Sequence, residues 1–357
     1  MSRPIVLPAL ALLALLSLAA SAVLLAGRFG SPQAAAHLAF ALGVMPLILA
    51  AIGYFVPVLT RGVAAGRVLS LAPLLAATGA ALAVPTFMSD HDSLRLAGAA
   101  ALAALACTGT LAWVLQRARR MLGPRHRAID WYAAALGMLL LALTAVMLMP
   151  ALPEWREGLR RFHIHANLLG FIGLTATGTL QVLLPTCVGR GDPGLPLRLR
   201  RDVGWATAGA FLISAGAAWP HGLPGSAVAF VGTLCFLRVL ASLLRDWWRA
   251  YGRLMFHIHG PAASLVAASI AFVALLGIGV AHAAGLLGAR PAIAGFVVAF
   301  LLPLVSGAAA QLLPVWLRPG AQGDWHHGLR RRLGRWAGAR GWIFVLLGAW
   351  LTLAGHY

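Results

Sequence analysis

Long apolar runs alternate with short polar loops from one end of the 357-residue chain to the other. An apolar run of roughly 20 residues, wound as a helix, crosses a bilayer. The pattern predicts about eleven transmembrane helices, near 4–27, 35–60, 68–88, 95–117, 129–150, 163–187, 202–220, 224–247, 257–282, 291–316 and 337–356. No soluble domain or long linker interrupts the series. The chain therefore reads as an all-α polytopic membrane protein with a single transmembrane domain over 1–357. The first run contains "ASA", which resembles a leader cleavage site. The apolar character continues past it, so the run is taken as the first span.

Three of the runs resemble one another. The second begins "HLAFALGVMPLILAAIGYFVPVL" at His37, the sixth "HANLLGFIGLTATGTLQVLLPTC" at His165 and the tenth "AGFVVAFLLPLVSGAAAQLLPVW" at Ala294. Pro57, Pro185 and Pro314 each lie 20 residues past the start, and the copies are offset by 128 and 129 residues. This predicts three pseudo-repeats of four helices, roughly 1–128, 129–255 and 256–357, the last one helix short. A partner subunit could supply a twelfth.

Composition sharpens the class. Hydrophobic residues make up 61% of the chain, charged residues only 10%, and mean hydropathy is +0.85. A water-soluble fold of this length needs far more polar surface. The formal charge of +19 comes from arginines placed in loops, which argues for topology signalling and against a nucleic-acid partner. Arginines crowd one set of alternating loops (117–127, 190–201, 245–253 and 318–340) and thin out in the other. The positive-inside rule puts the crowded loops and the N-terminus in the cytoplasm and the C-terminus outside. Cys107, Cys187 and Cys235 form no CxxC and imply no disulfide framework.

This orientation places His37, His91, His163, His165, His221, His282 and His356 at the outer face. His126, His257, His259, His326 and His327 fall at the inner face. An isolated histidine at a helix start is ordinarily interfacial and wet. Here His37 and His165 occupy equivalent repeat positions, and "FHIH" occurs twice, with His163 and His165 and again with His257 and His259. On a helix, Gly170, Gly178 and Pro185 form one stripe opposite His165, suited to close packing. His163 points to nearly the other side from His165, so the two rings serve two sites, unless an unwound turn brings them together. His37, His163 and His165 are the candidate cofactor ligands. His37, His165, His257 and His259 are the candidate metal ligands. Asn167, Thr175, Thr177, Thr179, Gln181 and Gln311 read as inter-helix hydrogen-bonding groups, and Arg238 as a side chain snorkelling to the nearer face. The lack of intramembrane Asp or Glu argues against proton-coupled transport.

The signature of a starting His, Gly170, Phe171, Gly178 and Pro185 resembles the opening helix of NnrS-type proteins, which are similar to haem-copper oxidase subunit I. That resemblance implies twelve helices in three arcs, histidine ligands near the outer face, haem or copper as cofactor, and nitric oxide-related chemistry or sensing in a bacterial inner membrane. It also implies an electron donor. Arg156, Arg160 and Arg161 would then face haem propionates. The tenth run has no HxH, and the sole His-His pair, His326–His327, lies in a charged loop, so a complete oxidase centre is not expected. Two other readings fit the same residues: a permease for copper, haem or a small solute, and an orphan or assembly subunit depleted of ligands.

Overall fold

A computed structural model describes residues 6–88, 92–121, 125–219 and 223–354. Arg3, His91, His221 and His356 lie outside the described residues. Eleven long helices follow the predicted order: α1 (Val6–Ala26), α2 (Pro32–Thr60), α3 (Leu69–Thr86), α4 (Ser93–Arg119), α5 (Ala128–Leu148), α6 (Pro153–Val188), α7 (Leu195–Ala218), α8 (Leu223–Tyr251), α9 (Pro261–Ala283), α10 (Ala289–Leu317) and, after a short α11 (Asp324–Gly334), α12 (Ala337–Ala354). Among the described residues, ten segments are long and apolar enough to cross a membrane. The long helix left out is α7, which opens with Arg198, Arg200, Arg201 and Asp202. The chain is therefore a multi-pass helical membrane protein in contact with lipid.

The helix ends follow local chemistry. Ser31 caps α2, its Oγ accepting from Ala34 N at 3.1 Å, with Pro32 preset for the first turn. Gly189 ends α6 in the left-handed conformation that glycine adopts without strain (φ 73°). The loop expected at 317–336 instead contains α11. The His326 ring pins its start: Nδ1 accepts from Gly323 N at 3.2 Å and Nε2 donates to Arg318 O at 2.8 Å. The Arg318 guanidinium lies 4.2 Å over the Trp325 ring.

Successive helices pack side by side, and α10 returns to α1, closing the bundle. The helices that resemble one another in sequence, α2, α6 and α10, share a further property. Each contains a π-helical stretch: His37–Val44, Ala166–Gly173 and Phe296–Leu301. Each also carries its proline, Pro57, Pro185 or Pro314, near its C-terminal end. Helices α6 and α10 are the most buried of the spans. Aromatic rings fill the space between them and their neighbours: Phe40 meets Phe296 edge-on at 5.7 Å, and Phe272 stacks on Phe300 at 4.5 Å and meets Phe236 at 5.4 Å.

Glycines set the closest helix approach. A Cβ on Gly170 would stand 2.7 Å from Met138 Cβ, and one on Gly178 would stand 2.6 Å from Trp131 Cβ. Both neighbours belong to α5, so the glycine stripe of α6 packs as expected. Gly307 of α10 meets Ser264 of the preceding helix α9 in the same manner. Trp131 is fully buried, and its indole N–H donates to Leu199 O at 3.0 Å, tying α5 to α7.

Candidate metal-binding site

His37 opens the π-helical stretch of α2, and His163 and His165 precede that of α6. The fold brings His37 and His163 together. Their ring centroids are 6.3 Å apart and their planes differ by 15°. Two imidazoles that each give one nitrogen to a single ion, at about 2.0–2.1 Å per bond, set their centroids at most about 6.4 Å apart. Phe87, at the end of α3, stacks on His37 at 4.2 Å, and its own carbonyl accepts from Ser31 Oγ at 3.1 Å. All three candidate histidines of this end are partly buried.

Hydrogen bonds fix which nitrogen of each ring is free. Nδ1 of His37 bonds Gln33 O at 2.8 Å, Nδ1 of His163 bonds Ala142 O at 2.9 Å, and Nδ1 of His165 bonds Arg161 O at 2.8 Å. A carbonyl has no proton to give, so Nδ1 donates in each case, and in the neutral ring the lone pair sits on Nε2. A backbone carbonyl on the distal nitrogen is the usual second partner of a ligating histidine. The Nδ2 of Asn167 also lies 3.3 Å from His163 Nδ1, but it donates to His163 O at 2.8 Å, and the carbonyl contact decides the tautomer.

His165 lies within electrostatic reach of His282 at the end of α9, whose Nδ1 donates to Leu287 O at 2.6 Å. The two rings of the HxH therefore face two different neighbours, as helical geometry anticipates. His37 and His165, equivalent in the repeat, are not each other's partners. No group of three or more His, Cys, Asp and Glu side chains able to hold an ion occurs among the described residues.

His257 and His259 differ from this set. They are exposed in a non-helical turn at the opposite end, 6.1 Å apart and tilted by 59°. Their Nδ1 atoms accept, from His259 N at 3.3 Å and from Trp336 N at 3.4 Å. In the neutral ring that places the proton on Nε2 and leaves no lone pair for a metal. Replacing both with alanine is expected to leave the metal content of the purified protein, read by elemental analysis, unchanged; a halved content would reverse this distinction.

The arginines near His163 are partly engaged. Arg160 pairs with both carboxylate oxygens of Glu157 at 2.6 and 2.8 Å, and Arg161 approaches Glu157 at 3.6 Å. Arg156 is exposed. At the other end, sequence reasoning placed Arg198 in a topological loop, whereas it is buried and bonded to Gln181 and Asp192. Gln181, deep in an apolar helix, was the available signal, since a buried amide needs a polar partner. Arg238 lies 4.5 Å over the Trp205 ring.

Comparison with protein-family models, with curated proteins and with solved structures finds no match.

Proposed function

We propose that the chain is an integral membrane protein that holds one redox-active metal between His37 and His163 at one end of its bundle. More narrowly, it is a relative of NnrS-type proteins and of haem-copper oxidase subunit I, in a bacterial inner membrane, with the histidine end and C-terminus outward and the N-terminus cytoplasmic. The observation that carries the reading is the near-parallel imidazole pair at 6.3 Å with both Nδ1 atoms committed to carbonyls. Two protein nitrogens suffice for haem iron, whose macrocycle brings four more, and for monovalent copper in a linear site. When bound, such a metal supplies one-electron chemistry. His37 and His163 hold and orient it, Gln33 and Ala142 fix their tautomers, and Phe87 covers one face. Held by His37 and His163, such a metal would suit one-electron transfer.

The test is the absorption spectrum of detergent-purified protein, oxidised and reduced, with metal analysis alongside. A Soret band that moves on reduction identifies haem; stoichiometric copper without that band identifies copper. A colourless, metal-free protein from cells supplied with both would overturn the proposal, and uptake by vesicles would then separate a permease from an orphan subunit.

A further inference from the structure

The bundle has an open seam where its third repeat is short of a helix. Helix α4 packs on both α3 and α5, and α8 packs on both α7 and α9. Each stands between the third helix of one predicted repeat and the first helix of the next. The corresponding place in the third repeat lies between α12 and α1. The described helix that packs on both of these is α10, from the inner side. A cleft of about 320 Å³ opens there, lined by Leu25 and Arg28 at the end of α1, Arg290 and Ala294 at the start of α10, and Trp350 and Leu351 near the end of α12.

The cleft combines apolar walls with two unpaired cations. Leu25 and Ala294 are buried, Leu351 is partly buried and Trp350 is exposed. Arg290 donates from Nη1 to Leu24 O at 3.3 Å and from Nη2 to Gly30 O at 2.8 Å. These bonds hold the guanidinium against the α1–α2 turn and use two of its five N–H groups. Arg28 is exposed. Every ion pair among the described residues uses other arginines, so neither of these two has a carboxylate partner there.

These features discriminate between fillers. A spanning helix is about 30 Å long and at least 10 Å across, several times the volume of the cleft. An apolar one would also set two arginines against hydrocarbon with no counter-charge. Water would solvate the guanidinium groups but would wet Leu351 and Trp350. A molecule with an anionic head and an apolar tail satisfies both parts. Its phosphodiester accepts charge-assisted hydrogen bonds from arginine, and its chain covers the apolar wall. Trp350 lies one turn from the end of α12, at the level where indoles sit among lipid head groups. The cleft volume is within the roughly 300–1,000 Å³ of small-ligand sites.

We propose that this cleft binds one anionic phospholipid, its phosphodiester on Arg28 and Arg290 and an acyl chain against Leu25, Ala294 and Leu351. The lipid closes the seam between α12 and α1 at the end of the bundle that carries His37. The site rests on the membrane-embedded fold and is independent of any metal.

Native mass spectrometry of the detergent-purified full chain, titrated with phosphatidylglycerol and with phosphatidylcholine of the same acyl chains, tests this. One phosphatidylglycerol is expected to bind at least about fivefold more tightly than phosphatidylcholine, roughly the factor for one arginine at a lipid surface. Arg28→Gln and Arg290→Gln should each erase most of that preference, and Arg95→Gln, at the same end of the bundle, should keep it. Because Arg28 is exposed, its replacement tests the site apart from folding. Phosphatidylglycerol should also raise the melting temperature, and inorganic phosphate at the same concentration should not. Equal affinity for the two lipids, a preference undiminished in both Arg28→Gln and Arg290→Gln, an equal loss in Arg95→Gln, or a melting rise reproduced by inorganic phosphate would each overturn the proposal.

Discussion

Membrane protein purified with His163→Ala is expected to lose the metal proposed between His37 and His163, its affinity falling at least about tenfold, the lower end of what removing even a supporting partner costs. His37→Ala should do the same, because each ring supplies one of only two protein nitrogens. His165→Ala should retain that metal, since the ring near His37 is His163. The contrast between two positions so close in sequence separates ligand loss from general damage to the turn. Added imidazole should restore the spectrum of a His163→Gly protein, which a purely structural role would not allow. Full occupancy in both His37→Ala and His163→Ala would sink the assignment.

The second large effect concerns packing. Gly178→Leu is expected to destabilise the bundle by about 3 kcal/mol or more, the upper range for overpacking. The new Cβ would stand 2.6 Å from Trp131 Cβ and 2.9 Å from its Cγ. Both atoms are near the backbone of a fully buried side chain, so no flexible end can swing aside. The strain falls on the junction where Trp131 also holds Leu199. Gly137→Ala is the control: it lines an open apolar groove between α5 and α7, and nothing lies within 4 Å of its new Cβ. It should leave melting unchanged or slightly raised. Wild-type melting of Gly178→Leu, measured by loss of the monodisperse species on heating, would show that α5 and α6 pack more loosely than described.

The helices were legible because a bilayer demands apolar runs of fixed length; the eleven predicted runs met eleven long helices among the described residues, ten of them apolar enough to cross a membrane. The glycine stripe was legible too, since Gly170 and Gly178 recur on one face whatever lies opposite. The partner of His37 was not. Equivalence in the repeat suggested His165, but the ring that stands 6.3 Å from His37 is that of His163. His282 entered only through the return of α9 to the same end. Arg198 was hidden by its address: an arginine in a polar segment reads as a topology signal, and only the three-dimensional approach of Gln181 and Asp192 shows it buried. The reversed tautomers of His257 and His259 depend on backbone N–H groups that no spacing rule predicts.

The π-helical stretch in α6 has a consequence for how this end of the molecule can change. An ordinary helix carries one rotational phase along its length, so any residue added above a packed face turns everything beyond it. A wide turn absorbs one residue as a slip in phase. In α6 that slip lies between the ring-bearing turn and most of the stripe that seats on α5. The rings can therefore be aimed without re-cutting the lower surface that holds the helix in place. The same wide turn persists in α10, which has no histidine at its head, so the device outlasts the ligand it could have served.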